Sequence, residues 1–206
     1  MSTTKKLDFK KEQPALYSGK AGVINEVDVP DMKFLMVDGK GDPNTTQEYK
    51  DSIETLYAVS YGVKMSFKKK HPAKDYVVPP LEGLWYIDDM RKFSTAPKSE
   101  WKWTMMARVP DYVPDDDIAK AIDEMKRKKH PASIDKVRLE HLAEGKCVQA
   151  LHIGPYDAEA PLIMKMHQWI KDNGHAERGK HHEIYLGDPR RVAPEKLKTV
   201  LRQPFD

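Results

Sequence analysis

Two long helical patterns, each entered from an apolar strand through a break of glycine, proline or aspartate, lie in the two halves of this 206-residue chain. In the first half, the apolar run 34–37 ends in the turn residues 38–43. An apolar stripe then recurs every three or four positions, at Ile53, Leu56, Tyr57, Tyr61 and Met65, and predicts an amphipathic helix from about 46 to 67. Strands are predicted at 84–87 and 101–109.

The second half repeats this order of elements. Its predicted elements are a helix at 115–128, strands at 137–142 and 146–153 joined by a turn at Glu144-Gly145, a break at Gly154-Pro155-Tyr156, a helix at 158–173 and a strand that carries Glu183. Two such units predict one pseudo-symmetric α+β domain. Its antiparallel strands are expected on one side and its helices on the other.

Charge and cysteine usage exclude several classes of protein. The 35 basic and 32 acidic residues nearly cancel, and the short lysine runs 68–70 and 126–129 are typical of solvated helix ends, so no nucleic-acid partner is expected. The single cysteine, Cys147, lies in an alternating run typical of a small buried residue, and it fits a reducing compartment. The charged N-terminal segment 1–11 does not resemble a signal peptide, and no window approaches the length of a membrane span. A cytoplasmic protein without a membrane partner is therefore expected.

Glu183 is the candidate catalytic residue because its strand alternates apolar and polar side chains. Glu183 and Tyr185 share one face, while Ile184 and Leu186 share the other and have an obvious place in a core. The glutamate then faces either water or a cavity, and the pattern alone leaves both readings open. Burial among rings would raise its pKa and make it a proton acceptor near neutral pH.

The aromatic residues offer walls for such a cavity. Tyr57 and Tyr61 lie four positions apart and share a helix face, and Trp103 shares a strand face with Trp101. Trp85 and Tyr156 add an indole and a phenol, whose polar groups need partners when they are buried. These rings are either core residues or the lining of a pocket for a flat, aromatic or cationic ligand.

No metal or cofactor is expected. His181, His182 and Glu183 are adjacent, but only His181 and Glu183 share a strand face, and no third ligand stands at a suitable spacing. No glycine-rich phosphate-binding motif occurs in the sequence.

Three segments, 29–43, 82–86 and 182–191, resemble the GyrI-like small-molecule-binding family, most closely its stand-alone members. The resemblance implies a single domain over residues 1–206 with two SHS2-type β-α-β-β repeats, related by a pseudo-twofold axis around a central ligand pocket. The repeats would span about 29–110 and 111–192, followed by a C-terminal tail at 193–206.

Some stand-alone members are cyclopropanoid cyclopropyl hydrolases, which open the strained ring of DNA-alkylating drugs of the yatakemycin and CC-1065 type. The resemblance therefore implies such a hydrolase, with Glu183 and Tyr156 as catalytic residues. The implied ligand-binding residues are Trp85, Trp103, Tyr57, Tyr61 and Tyr185. The alternative is a non-catalytic module that sequesters or senses amphipathic or cationic drugs, with Glu183 as a charge partner. Inhibition of a topoisomerase would rest on the family's name alone. The oligomeric state is left open.

Overall fold

The computed structural model describes residues 6–93 and 95–206; the start of the charged N-terminal segment, residues 1–5, and Ser94 lie outside the described residues. The strands within this part of the chain are β1 (Ile24–Lys40), β2 (Leu81–Tyr86), β3 (Lys102–Arg108), β4 (Arg138–Ile153), β5 (His181–Tyr185) and β6 (Lys198–Pro204). The α-helices there are α1 (Phe9–Glu12), α2 (Pro14–Tyr17), α3 (Gln47–Lys70), α4 (Asp115–Lys128) and α5 (Ala160–Asp172).

The strands form a closed antiparallel barrel in the order β1-β3-β2-β5-β6-β4. The antiparallel sheet is confirmed, but the closure was not predicted. It arises because β1, with 17 residues, is long enough to pair with two strands. Residues 34–40 of β1 pair with β3, and residues 24–36 pair with β4. The N-terminal strands of the two halves of the chain therefore join each other directly.

The helices α3 and α5 pack on the outer face of the barrel, and α4 packs on α3. Leu56 and Val59 of α3 share one buried cluster with Trp103 and Met105 of β3, and α4 contacts α3. Another buried cluster joins α5 to β4 and β6. The outer surface of β2 and β5 consequently lies between α3 and α5. In the described part of the chain, no helix combines the length and apolar character that a bilayer crossing requires.

The hairpin predicted at 137–142 and 146–153 is wrong, because β4 runs unbroken from Arg138 to Ile153. Gly145 adopts a positive φ of 66° within the strand, and pairing with β1 continues on both sides of it, so the Glu-Gly pair does not reverse the chain. Glu144 is buried inside the barrel instead of lying at an exposed turn tip.

The apolar stripe predicted for α3 is partly wrong. Tyr61 and Met65 are 54% and 59% exposed, whereas Val63 and Phe67 are buried. The buried side of α3 therefore runs through Val63 and Phe67 instead of through Tyr61 and Met65. The small polar residue Ser52 is also buried; its hydroxyl donates to the carbonyl oxygen of Glu48 at 2.8 Å and lies 3.4 Å from the hydroxyl of Ser133.

The barrel interior holds apolar side chains together with a buried ion-pair network. The network consists of Glu82, Glu144, His182 and Arg202. Cys147 lies there among Phe34, Ile184 and Val200, which confirms it as a small buried residue. The polar lead-in of the sequence folds into α1 and α2, whose Phe9, Leu16 and Tyr17 join this cluster.

The segment 193–206, expected to be a C-terminal tail, contains β6. This strand pairs with both β4 and β5. It is therefore an integral strand of the barrel and lies beside the strand that carries Glu183.

Candidate functional site

The candidate site lies on the outer face of β5, between α3 and α5. His181, Glu183 and Tyr185 point outward there, while His182 and Ile184 point into the barrel. The Glu183 side chain is 14% exposed, so it is neither free in solvent nor sealed in the core. The predicted pairing of Glu183 with Tyr185 on one face is confirmed.

Gly83 leaves open the space that the neighbouring polar side chains occupy on this face. It pairs with Glu183 in the β2–β5 register, and it has no side chain to cover the glutamate. A Cβ atom placed on Gly83 would lie 3.2 Å from both Trp85 Nε1 and the Tyr185 hydroxyl. The two polar groups meet directly above the glycine.

A chain of hydrogen bonds runs through these residues. Trp85 Nε1 donates to the Tyr185 hydroxyl oxygen at 2.9 Å, and the Tyr185 hydroxyl donates to Glu183 Oε2 at 2.9 Å. Burial, followed by the negative charge of Glu183, raises the pKa of Tyr185 well above its usual value. The phenol therefore stays neutral and acts as a fixed donor that orients the carboxylate.

His181 lies on the other side of the carboxylate. Its Nε2 atom is 3.6 Å from Glu183 Oε1, and neither ring nitrogen has a hydrogen-bond partner among the described residues. Glu183 thus has a phenol at one oxygen and a buried imidazole near the other. Within the described residues, no group of three or more histidine, cysteine, aspartate or glutamate side chains could hold a metal ion.

Aromatic rings surround the Trp85–Tyr185–Glu183 chain. Tyr156 contacts Tyr185 edge to face, with ring centroids 5.5 Å apart, and it is 38% exposed. On the side of α3, Tyr49 lies with its ring centroid 5.8 Å from Trp85 and 5.2 Å from Trp103. These rings therefore flank the hydrogen-bonded chain at Tyr185 and at Trp85.

Open space lies next to this chain, on the side of Tyr57 and Tyr61. A cleft of about 190 Å³ is bounded by both tyrosines, by Tyr185 and by the segment around Pro79 and Pro80. A wider cleft of about 530 Å³ adjoins it, where Tyr57 and Tyr61 meet Arg190. Glu183 lines neither cleft, and Tyr185 stands between the carboxylate and the open space.

The predicted site residues therefore occupy three positions. Glu183, Trp85 and Tyr185 form the hydrogen-bonded centre, with Tyr156 against Tyr185. Tyr57 and Tyr61 line the adjoining clefts. Trp103 is fully buried, and Tyr49 packs against its ring, so Trp103 supports the site from behind rather than lining open space.

Glu159 is the most important residue that the sequence analysis missed. It is 3% exposed, and its Oε1 atom has no hydrogen-bond partner among the described residues. Burial, followed by the negative charge of Glu183, raises its pKa to about 9, against a smaller opposing effect of the Thr199 hydroxyl. The site therefore contains a second carboxyl group, which keeps its proton at neutral pH.

Tyr49 was also missed, although the sequence contained a signal for it. It lies eight residues before Tyr57 and twelve before Tyr61, so the three phenols follow one another at multiples of four along α3. Glu159 had no comparable signal, because a glutamate at the start of a helix is usually a solvated residue that favours the helix dipole.

The comparisons with known proteins agree with this architecture. A family model described as the GyrI-like small molecule binding domain matches residues 23–205. Two crystal structures from Listeria innocua, one of an uncharacterized conserved protein and one of a hydrolase, are each 39% identical to the chain. Each alignment covers 98% of this chain and 100% of the other, with TM-scores of 0.88 and 0.85.

A more distant structure, the C-terminal domain of EcmrR, is 13% identical and has a TM-score of 0.55, with 89% of this chain and 97% of that chain covered; it shares the fold alone. No curated protein sequence matches the chain. The match of the family model over nearly the whole chain, together with the two Listeria structures, shows that the chain belongs to the GyrI-like small-molecule-binding family.

Proposed function

We propose that this protein is a hydrolase that opens the cyclopropane ring of cyclopropanoid DNA-alkylating drugs of the yatakemycin and CC-1065 type. The observation that carries the proposal is the Trp85–Tyr185–Glu183 hydrogen-bond chain, which fixes one carboxylate among aromatic rings beside an open cleft. Similarity to a Listeria protein named as a hydrolase, over essentially the whole of both chains, supports a catalytic reading.

Glu183 is the proton acceptor in this reaction. The Tyr185 hydroxyl donates to its Oε2 atom and so holds the carboxylate in one orientation. The Oε1 atom is then the one that accepts a proton from an attacking water molecule. General-base assistance contributes ~10²–10⁴-fold, which is sufficient for a substrate whose ring strain already favours opening.

The aromatic residues hold the flat drug. Tyr57 and Tyr61 line the outer clefts, where an extended aromatic ligand enters, and Trp85 is hydrogen-bonded to Tyr185, which lines the smaller cleft. Tyr185 already donates its proton to Glu183, so Tyr156 is the phenol that faces the carbonyl group of the drug. Burial, Glu159 and Glu183 together raise the pKa of Tyr156 to about 12, so it remains a hydrogen-bond donor throughout the neutral range.

The test is multiple-turnover hydrolysis of a cyclopropane-bearing drug by the purified protein, followed by chromatography and mass spectrometry of the ring-opened hydrate. We expect Glu183→Gln to lower kcat by ~10²–10⁴-fold, because the amide cannot accept the proton of water. Glu26→Gln is the matched control, since Glu26 is an exposed glutamate on β1. Equal turnover by Glu183→Gln and the control would show that this mechanism is wrong.

A second function, a non-catalytic drug-binding module, is favoured by the same carboxylate. A negative charge that accepts a hydrogen bond from Tyr185, with Tyr156 and Trp85 against that phenol, also suits a cationic aromatic compound. A binding module would consume one drug per protein and then stop, whereas an enzyme continues. A drug consumption that ends at one equivalent, with Glu183→Gln weakening the binding of cationic compounds only, would establish this alternative.

We further infer that the fold arose from two repeats. The order β1-α3-β2-β3 in the first half matches β4-α5-β5-β6 in the second, and each half contributes three adjacent strands to the barrel. An SHS2-type pseudo-twofold relation would place the candidate site at the junction of β2 and β5, the equivalent strands of the two repeats. Within this proposal, the whole chain forms one cytoplasmic domain.

A further inference from the structure

Glu159 occupies a position in which a carboxyl group needs an explanation. It is the N-cap residue of α5, yet its side chain makes no capping hydrogen bond. The side chain is instead buried, with Oε1 left without a partner among the described residues. Burying an ionisable group without a partner destabilises a folded protein, so structural stability does not account for a glutamate here.

The strand register places Glu159 beside the catalytic centre. The backbone N–H of Glu159 donates to the carbonyl oxygen of Tyr156 at 3.3 Å, and the Tyr156 ring contacts Tyr185 edge to face at 5.5 Å. Thr199 pairs with Tyr185 across β5 and β6, so its side chain lies on the same outer face as Tyr185. The negative charge of Glu183 raises the pKa of Glu159, and both carboxyl groups raise the pKa of Tyr156 and of Tyr185. Two carboxyl groups therefore flank the same pair of phenols.

The groups packed around Glu159 explain its protonation. Glu183 and Tyr185 face it from β5, Thr199 faces it from β6, and Tyr156 precedes it in the turn before α5. On β4, His152 pairs with Thr199, but its Nε2 lies against the carbonyl oxygen of Pro155. No cation among the described residues acts on Glu159 strongly enough to lower its pKa, and burial with the nearby negative charge keeps it protonated.

We propose that Glu159 is the proton donor of this site and that Glu183 is its proton acceptor, so that the two carboxyl groups act as an acid–base pair. The proposal rests on the proposed hydrolase function and adds the missing proton source. In active sites, two titratable groups with different pKa values commonly divide the roles of acid and base. It also restricts the substrate to electrophiles whose strained ring is conjugated to a carbonyl oxygen that can accept the proton.

The step balances as follows in atoms and electrons. A water molecule gives one proton to Glu183 as its oxygen forms a bond to the ring methylene carbon. The cyclopropane carbon–carbon bond breaks, and its electron pair moves through the conjugated ring to the carbonyl oxygen. That oxygen takes the proton of Glu159 and becomes a phenol hydroxyl. After the product leaves, Glu183 releases its proton to solvent and Glu159 takes one up, which restores both groups.

The kinetic test compares Glu159→Gln with the wild-type protein. The amide has the size of the carboxylic acid but has no proton to give, so we expect kcat to fall by ~10²-fold while drug affinity, measured by tryptophan fluorescence, changes little. In the wild type, kcat should fall as the pH rises through about 9, and this alkaline decline should be missing in Glu159→Gln. Glu159→Asp, which keeps an acid, should retain the decline. Wild-type kcat in Glu159→Gln with an unchanged pH profile would overturn the proposal.

An infrared measurement separates this inference from the proposed function. The difference spectrum between wild type and Glu159→Gln at neutral pH should contain the carbonyl stretch of a protonated carboxyl group. Absence of that band overturns the role of Glu159, whether or not the wild type turns over drug. If the band is present but the wild type opens no cyclopropane ring, the hydrolase function is overturned, and the proton-transfer step with it. Glu159 would then be a neutral hydrogen-bond donor in a binding pocket.

Discussion

Gly83 determines how closely Trp85 and Tyr185 approach each other above β2. Ala in its place would bring a Cβ atom to 3.2 Å from Trp85 Nε1 and from the Tyr185 hydroxyl, closer than ordinary van der Waals contact. We expect Gly83→Ala to fold, because the neighbours need to move by only a few tenths of an ångström. The Trp85–Tyr185 hydrogen bond should lengthen, and kcat should fall about 10-fold, since a displacement on the order of 1 Å costs ~10²-fold.

The matched control for Gly83→Ala is Gly62→Ala on α3. Its added Cβ would meet only the flexible end of Met125, at 3.0 Å, and alanine favours a helix over glycine by roughly 0.5–1 kcal/mol. We therefore expect Gly62→Ala to retain full turnover and to unfold at an equal or higher temperature. If Gly83→Ala also retains full turnover, the position of Tyr185 is not important for the reaction.

Prediction from the sequence worked for single residues whose neighbours in the chain define their environment. The alternation around Glu183 was enough to put it on the same face as Tyr185 and opposite Ile184. It failed for Glu159, whose burial depends on α5 lying across β4 and β6. The sequence around Glu159 does not indicate how α5 packs on these strands. The 24 positions between Glu159 and Glu183 do not indicate that the two residues share a site either.

At the scale of elements, the unbroken β4 depends on the partners of Glu144. His182 Nδ1 lies 2.9 Å from Glu144 Oε2, and Arg202 Nη1 donates to the same oxygen at 3.1 Å. These partners come from β5 and β6, so they hold Glu144 inside the barrel at the point where a Glu-Gly pair normally signals a turn. Turn propensity is local, and the ion pairs that override it join residues 38 and 58 positions apart.

We expect Glu144→Gln to destabilise the barrel by about 3–5 kcal/mol, because His182 and Arg202 would remain buried without their shared negative charge. Urea unfolding, followed by circular dichroism, measures the loss. The control is Glu124→Gln, which removes an exposed partner of Lys128 on α4 and should leave the midpoint nearly unchanged. Equal midpoints for the two variants would mean that the network inside the barrel does not stabilise it.

At the scale of the whole molecule, closure of the barrel divides the ionisable groups into an inner and an outer set. Inside, burial alone would lower the pKa of His182, but Glu144 and Glu82 outweigh it and raise the pKa to about 9. Burial alone would raise the pKa of Glu144, but His182 and Arg202 lower it to about 2. Outside, Glu159 keeps its proton to about pH 9. Each shift couples folding to pH with a definite sign.

The stabilisation from Glu144 is complete above pH 4.5 and is lost as the pH falls through about 2. The stabilisation from His182 is complete below pH 6.5 and is lost as the pH rises through about 9. Glu159 acts in the same direction as His182, because from pH 4.5 to about 9 the folded protein holds a proton that the unfolded chain has released. Burial lowers the pKa of His167 to about 4, so its effect has the opposite sign and offsets that of Glu159 up to pH 6.5. Stability should therefore decline mainly from pH 6.5 towards pH 9, where the contributions of His182 and Glu159 are both lost.

Between pH 4.5 and pH 6.5 the contributions of Glu144 and His182 are both complete, but His167 opposes Glu159. Burial lowers the pKa of His167 to about 4, so in this interval the unfolded chain holds a proton that the folded protein has released, and the contribution of His167 to stability rises with pH. His167 is present in both proteins, so the difference between the wild type and Glu159→Gln isolates Glu159. We expect the melting temperature of the wild type to fall relative to that of Glu159→Gln across this interval, since the amide binds no proton in either state. Above pH 6.5 both proteins should decline, because His182 is present in both. Thermal melts of the two proteins at closely spaced pH values make the comparison. Parallel curves between pH 4.5 and 6.5 would show that Glu159 does not hold its proton in the folded protein, and the acid–base pair would lose its donor.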